Sequence, residues 1–242
     1  MEKGSYEVEW RLNRFHWWFV GRRRLIRSLL SRLDIRRDSA VLDIGCGVGS
    51  NLNLLRLMGF NVIGIDSEIY ALSLARKNVS AVPLVNGDLV RLPILTNSIG
   101  LIVATDVLEH LGNDTLGLQE IYRTLERGGK VLITVPAFNF LWGIQDDFSK
   151  HKRRYSKKQL LEEMEQQGFK ILGFSYFNFF LFFPILLIRR LMHLFEISVE
   201  SENVINSPLL NHFSKIIFSM EPYCLKFLTF PFGVSIFCLA EK

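Results

Sequence analysis

Short apolar runs rich in β-branched residues alternate along this chain with longer stretches whose apolar positions recur every three to four residues. The first kind predicts strands near 40–44, 61–65, 82–85, 99–105 and 130–135. The second predicts helices over 50–58, 68–78 and 114–126. Gly128-Gly129 stops the last of these helices, and Ser156-Lys-Lys-Gln159 has the form of a capping box that opens a helix running to Gln167. Phe169–Tyr176 and Gly233–Glu241 supply two further strands. Such alternation predicts an α/β fold, a doubly wound and mostly parallel sheet of seven strands.

Two stretches fall outside that rhythm. Residues 1–37 read as an N-terminal helical arm, with Phe15-His-Trp-Trp-Phe19 set just before Arg22-Arg-Arg24. Its rings either form an apolar lid that shelters a cationic ligand or anchor the arm to the sheet. On a helix the three arginines point to different faces, so one or two at most act together. The other stretch is Ile171–Ile188, eighteen residues without a charge. That length raises a membrane-spanning helix. Its first part is needed as a strand, however, Pro184 interrupts it, and Arg189-Arg190 follow. A return span through Asn211, His212, Lys215, Glu221 and Lys226 would be costly in hydrocarbon. The expected organisation is therefore a core of 38–177 and 230–242, with a hydrophobic helical insertion over 178–229 that covers the substrate pocket or lies in a membrane interface, ordinary core helices being the alternative.

Composition narrows the class. The chain has 242 residues, 49% apolar and 22% charged, enough for one well-buried core. Cys46, Cys224 and Cys238 have neither disulfide nor metal spacing, and no metal site is expected. The N-terminus lacks the basic start and apolar run of a secretion signal, so the expected location is cytoplasmic, with a peripheral membrane contact left open. Net charge is +5, with basic residues scattered among 22–27, 36–37, 150–158 and 189–190. Nothing there forms an RNA-binding pattern, so nucleic acid is not the expected partner; a small anionic molecule or a membrane surface fits better.

The chemistry begins at Val41-Leu-Asp-Ile-Gly-Cys-Gly-Val-Gly49, a strand running into glycines at alternate positions. Such a loop lets backbone amides and a helix N-terminus approach a ligand closely. The dinucleotide fingerprint needs a third glycine where this chain has Ser50. Asp43, read as facing the ligand, would repel a pyrophosphate and attract an ammonium or sulfonium. A second strand ends in Asp66, seventeen positions after Gly49, where a carboxylate can accept both ribose hydroxyls or else cap the next helix. Asn86-Gly-Asp-Leu89 follows the third strand, Asp106-Val-Leu-Glu-His110 the fourth, and Pro136 ends the fifth.

This ordered set resembles the class I S-adenosylmethionine-dependent methyltransferases over about residues 38–175. The resemblance implies the Rossmann-like methyltransferase fold, with a final antiparallel strand beside the sixth, and S-adenosyl-L-methionine as cofactor. It implies that Gly45, Gly47 and Gly49 pass the methionine portion, Asp43 places its amino group and Asp66 holds ribose. Asp88 and the Leu89 amide would then read adenine, and Asp106 would also lie at the cofactor. Cys46 is expected only to pack under the loop.

Methyl transfer is an in-line displacement that needs a base only when the acceptor must lose a proton. His110 sits at a strand's C-terminal end, where such sheets bind substrates, with Glu109 beside it and Asp106 four residues earlier. A second group, Trp142, Asp146, Asp147 and His151-Lys-Arg-Arg-Tyr155, follows the fifth strand. It is similar to a stretch in ubiquinone-pathway O-methyltransferases. His151 and Tyr155 are candidate acid–base residues, and Arg153 and Arg154 candidate grips for a phosphate or carboxylate; a solvated loop is the alternative. The expected activity is methyl transfer to a small or lipid-like acceptor, at oxygen. A nucleic-acid methyltransferase, a nicotinamide-dependent oxidoreductase and a non-catalytic partner protein are the competing readings.

Overall fold

The computed structural model describes residues 3–36, 38–79, 81–197, 201–202 and 207–242. Met1, Glu2 and Arg37 of the expected arm, and 198–200 and 203–206 of the expected insertion, lie outside the described residues. Strands β1 (Ala40–Ile44), β2 (Asn61–Asp66), β3 (Leu84–Asn86), β4 (Ile99–Thr105), β5 (Leu125–Pro136), β6 (Lys170–Phe177) and β7 (Ser235–Glu241) form one sheet in the order β3-β2-β1-β4-β5-β7-β6. β7 runs antiparallel between β5 and β6, and the other neighbours are parallel. The expected doubly wound, seven-stranded fold is the one observed.

Every residue of β4 is buried, as a central parallel strand covered on both faces requires. The β3 edge is only three residues long, which leaves little open backbone for another strand to pair with. Helices α3 (Leu52–Leu57), α4 (Ile69–Asn78), α5 (Asp114–Thr124), α6 (Ile144–Ser149) and α7 (Lys157–Gln166) fill the crossovers. The helix expected over 114–126 stops at Thr124, because Leu125 takes extended backbone and pairs with Ile99 of β4. Ser156 caps α7 by accepting from the Gln159 amide at 3.2 Å.

The arm consists of α1 (Lys3–Leu12) and α2 (Trp17–Leu30). Between β6 and β7 lie α8 (Phe182–Leu194) and α9 (Pro208–Cys224). Pro184, which breaks the charge-free run, stands in the first turn of α8, where a missing amide hydrogen costs little. No helix among the described residues is long and apolar enough to cross a membrane. Arm and insertion meet: Trp18 stacks on Phe177 at 6.0 Å and on Phe218 of α9 at 5.6 Å between ring centroids. Gly21 makes this approach possible, since a Cβ there would lie 2.2 Å from the Phe218 ring.

Candidate active site

A cavity of about 430 Å³ opens at the C-terminal ends of β1, β2 and β4, where the parallel strands deliver their loops. At one end Gly45 and Gly47 form its wall. Gly45 has φ +64°, and any Cβ there would collide with Val107 at 2.4 Å, so only glycine fits this turn. Gly49 also has positive φ, but it packs against Ala75 of α4 and does not border the cavity. Its part is to seat the loop on the helix.

Asp66 lies at the end of β2 on the cavity wall, accepting from the Gly47 amide at 2.8 Å and the Glu68 amide at 2.9 Å. Those bonds tie the β2 end to the glycine loop. A carboxylate has about four acceptor sites, so hydroxyls could still be bound there. Asp88 also borders the cavity and accepts from the Val90 amide at 3.1 Å; Leu89 packs beside it, buried. Asp106, in left-handed backbone at φ +56°, gives one oxygen to Arg22 of α2 and the other to the Thr134 hydroxyl. Asp106 therefore engages Arg22 and Thr134, and it also borders the cavity.

Asp43 corrects one expectation. It is buried and is not among the residues that border the cavity; neither of its oxygens has a hydrogen-bond partner. Burial pushes its carboxyl up to about 8. A further acidic group reaches the loop beside Asp66, one that spacing did not reveal: Glu9 of α1. Glu9 accepts from the Ser50 hydroxyl at 2.9 Å and stands 3.4 Å from where a Gly47 Cβ would be. Burial raises its pKa, opposed by the Arg22 charge. Tyr6, from the same helix, is also on the wall. Only the folded arm brings these residues to the loop, and no local motif marks them.

The far side of the cavity is built by the loops after β4 and β5. His110 ends a 3₁₀ turn at Leu108–His110 and faces His151, the ring centroids 4.8 Å apart and the planes 79° to one another. The Lys152 amide donates to the Glu109 carbonyl at 2.8 Å, which pins the two loops together. His151 Nδ1 lies 2.8 Å from Asp146, while its Nε2 is 3.9 Å from Glu109. Burial pushes the His110 imidazole down to about 3. Burial acts upward on Asp146, but the His151 bond and the Arg154 charge outweigh it and hold that carboxyl near about 2.

Two further expectations change here. Tyr155 is fully buried and off the cavity, its hydroxyl donating to Asp114 at 2.6 Å. Burial and that carboxylate push its pKa well up, so it is a packing and tethering residue. Arg153 and Arg154 do not wait for an anion. Arg154 forks onto Asp146 at 2.9 and 2.8 Å and donates to the Ala137 carbonyl at 2.9 Å; Arg153 binds Asp114 and the Gly112 carbonyl, each at 2.9 Å. These pairs brace the loop that carries His151. Trp17 and Trp18 pack against Phe218 of α9, anchoring the arm, and both also line the cavity. The three arginines separate as expected, to Asp106, the Asn13 carbonyl and Ser219.

Acidic groups at the loop end and glycines that admit close backbone approach suit a cationic, hydroxyl-rich ligand. Residues 42–133 match the family model of a methyltransferase domain. Residues 42–133 therefore carry a methyltransferase domain, and the chain is similar to the class I S-adenosylmethionine-dependent methyltransferases. It is 28% identical over 158 residues to a probable S-adenosylmethionine-dependent methyltransferase of Mycolicibacterium smegmatis, covering 64% of this chain and 60% of that one. It is 27% identical over 146 residues to the malonyl-[acyl-carrier protein] O-methyltransferase of Enterobacter lignolyticus, 58% of each chain. These matches thus span about three fifths of the relatives' lengths. In fold the chain is similar to Haemonchus contortus phosphoethanolamine N-methyltransferase 2 in complex with S-adenosyl-L-methionine. The TM-score is 0.60 at 20% identity, over 90% of this chain and 52% of that one. S-adenosylmethionine is the cofactor of this methyltransferase family, and Gly45, Gly47, Asp66 and Asp88 stand where they could hold it.

Proposed function

We propose that the chain transfers a methyl group from S-adenosylmethionine to the oxygen of a small or lipid-like acceptor. One observation carries this reading: a single cavity borders both the glycine loop with Asp66 and Asp88 and the facing pair His110 and His151. The cofactor supplies a methyl group already activated by positive sulfur. The chain's part is to bind, orient and keep water out, with Glu9 and Asp66 on the cofactor side and Trp17 and Trp18 closing the wall.

On the acceptor side, His151 is placed to take a hydroxyl proton, because Asp146 orients the ring through Nδ1 and stabilises the cation that forms. His110, neutral through burial, offers a second polar group. A lipid-like acceptor is supported by the apolar part of the wall: Leu181, Ile185, Ile188 and Met192. The same insertion exposes Phe183, Leu187 and Leu191 on α8 and Phe213, Ile216 and Met220 on α9. Exposed apolar side chains of this kind support contact with a membrane interface, from which an amphiphile would be drawn.

Release of S-adenosylhomocysteine on incubation with panels of phenols, hydroxylated isoprenoids and lipid headgroups tests the reading. Turnover with a hydroxyl acceptor is expected, reduced about 10²-fold or more in His151→Ala. Turnover only with amine or carbon acceptors would refute the oxygen target.

A further inference from the structure

We propose that Glu109, His110 and His151 bind one divalent transition-metal cation, of the Mn²⁺ or Zn²⁺ class, on the acceptor side of the cavity. Each offers one ligand atom, all within 4.8 Å of one another, and all three residues border the cavity. Ligands 2.0–2.2 Å from one ion stand about 3–4.4 Å apart, so only small side-chain rotations are needed. His151 Nε2 and Glu109 Oε1, at 3.9 Å, are already at that spacing.

Glu109 is the decisive residue. Its side chain is fully buried, and neither carboxylate oxygen has a hydrogen-bond partner. A buried carboxylate without donors is costly, and a cation is what would stabilise it. Both imidazoles are already oriented as metal ligands usually are, with one ring nitrogen held by the protein: His151 Nδ1 by Asp146 and His110 by the Lys150 backbone. Asp106 and Asp146 add negative potential around Glu109, offset in part by Arg154. Two imidazoles and one carboxylate, with the remaining positions open to the cavity, suit Mn²⁺, Fe²⁺, Co²⁺ or Zn²⁺. Glu109-His110 and His151 lie on loops about forty residues apart, so cysteine and histidine spacing could not reveal the set.

The site rests on the proposed acceptor side of the cavity and revises its proton step. With the cation bound, His151 is a ligand, and the cation lowers the proton affinity of an acceptor hydroxyl. The hydroxyl proton then leaves to water while the C–O bond forms and the C–S bond of the sulfonium breaks; no oxidant or reductant is required.

The test uses the full chain, stripped with a chelator and titrated calorimetrically with Mn²⁺ and with Zn²⁺, without cofactor or acceptor. One cation per chain is expected, with affinity reduced at least tenfold in Glu109→Gln and in His151→Gln. Thermal melts of both variants establish that they are folded, and the Co²⁺-loaded protein should show a visible spectrum that Glu109→Gln alters. Absence of stoichiometric binding to the folded chain, or binding unchanged in folded variants, overturns the site. S-adenosylmethionine binding is measured separately: if it persists without any metal site, this inference falls and the methyltransferase reading stands.

Discussion

Gly21→Ala isolates the contact that holds the arm on the insertion. In the middle of an exposed helix this change would stabilise the protein by about 1 kcal/mol, since alanine is the better helix former. Here the new Cβ would lie 2.2, 2.6 and 2.8 Å from three atoms of the Phe218 ring, against an ordinary carbon–carbon contact of about 3.5–4.0 Å. The ring cannot swing aside. It is fully buried, packed against Trp17 at 6.0 Å, Trp18 at 5.6 Å and Phe177 at 6.1 Å between centroids. α2 and α9 must therefore separate by more than an ångström. Overpacking of this kind costs about 1–3 kcal/mol, and separating two helices along their contact belongs at the upper end. The net expectation is a loss of about 1–2 kcal/mol, or a fall in Tm of about 2–8 °C for a chain of this size. Differential scanning calorimetry reads the Tm. In Phe218→Leu the smaller side chain should accept the methyl group, so Gly21→Ala should cost less in that background. A Tm that rises by the helix-propensity gain would refute the packing argument.

Three changes elsewhere separate structure from chemistry. Tyr155→Phe removes a buried hydrogen bond to a carboxylate, so stability should fall by about 1.5–3 kcal/mol in urea titration while kcat stays within a few-fold of wild type. A large loss of kcat with unchanged stability would restore Tyr155 to the chemistry. Glu221 is fully buried, accepting from the Asn178 and Phe180 amides at 2.6 and 3.1 Å, and burial pushes its carboxyl from 4.5 up to about 7. A raised acid binds its proton more tightly when folded, so its contribution is present below about pH 4.5 and lost as pH rises through about 7, worth about 3 kcal/mol. The difference in stability between wild type and Glu221→Gln should shift by that amount across the window; a constant difference would contradict it. Arg154→Met strands Asp146 without its main partner and should cost about 3–5 kcal/mol, measured by denaturant unfolding, against less than 1 kcal/mol if the pair were solvated.

The sheet was legible because strand and helix periods differ and because turn glycines and capping residues mark the boundaries. Ala40–Ile44 and Ile99–Thr105 fall where periodicity puts them. The loop residues Gly45, Gly47, Asp66 and Asp88 were legible too, since strand ends deliver side chains to one edge of the sheet. Burial direction was not. Asp43 alternates in a strand whose neighbours are buried on both faces, and local charge alone could not say that it is buried outside the cavity lining. Tyr155, Arg153 and Arg154 have the chemistry of a substrate grip, yet the same groups satisfy Asp114 and Asp146 in the folded chain. Glu9 was hidden for the opposite reason: its role depends on α1 folding over a loop some forty residues away.

The most direct test of the account is calorimetric titration of the purified chain with S-adenosylmethionine, S-adenosylhomocysteine and NADH, beside Asp66→Ala. The account predicts binding of both sulfur compounds, no binding of NADH, and at least a tenfold weakening in Asp66→Ala, the equivalent of about 1.4 kcal/mol or more. A folded chain that binds neither sulfur compound, or binds them equally well without the Asp66 carboxylate, would contradict it.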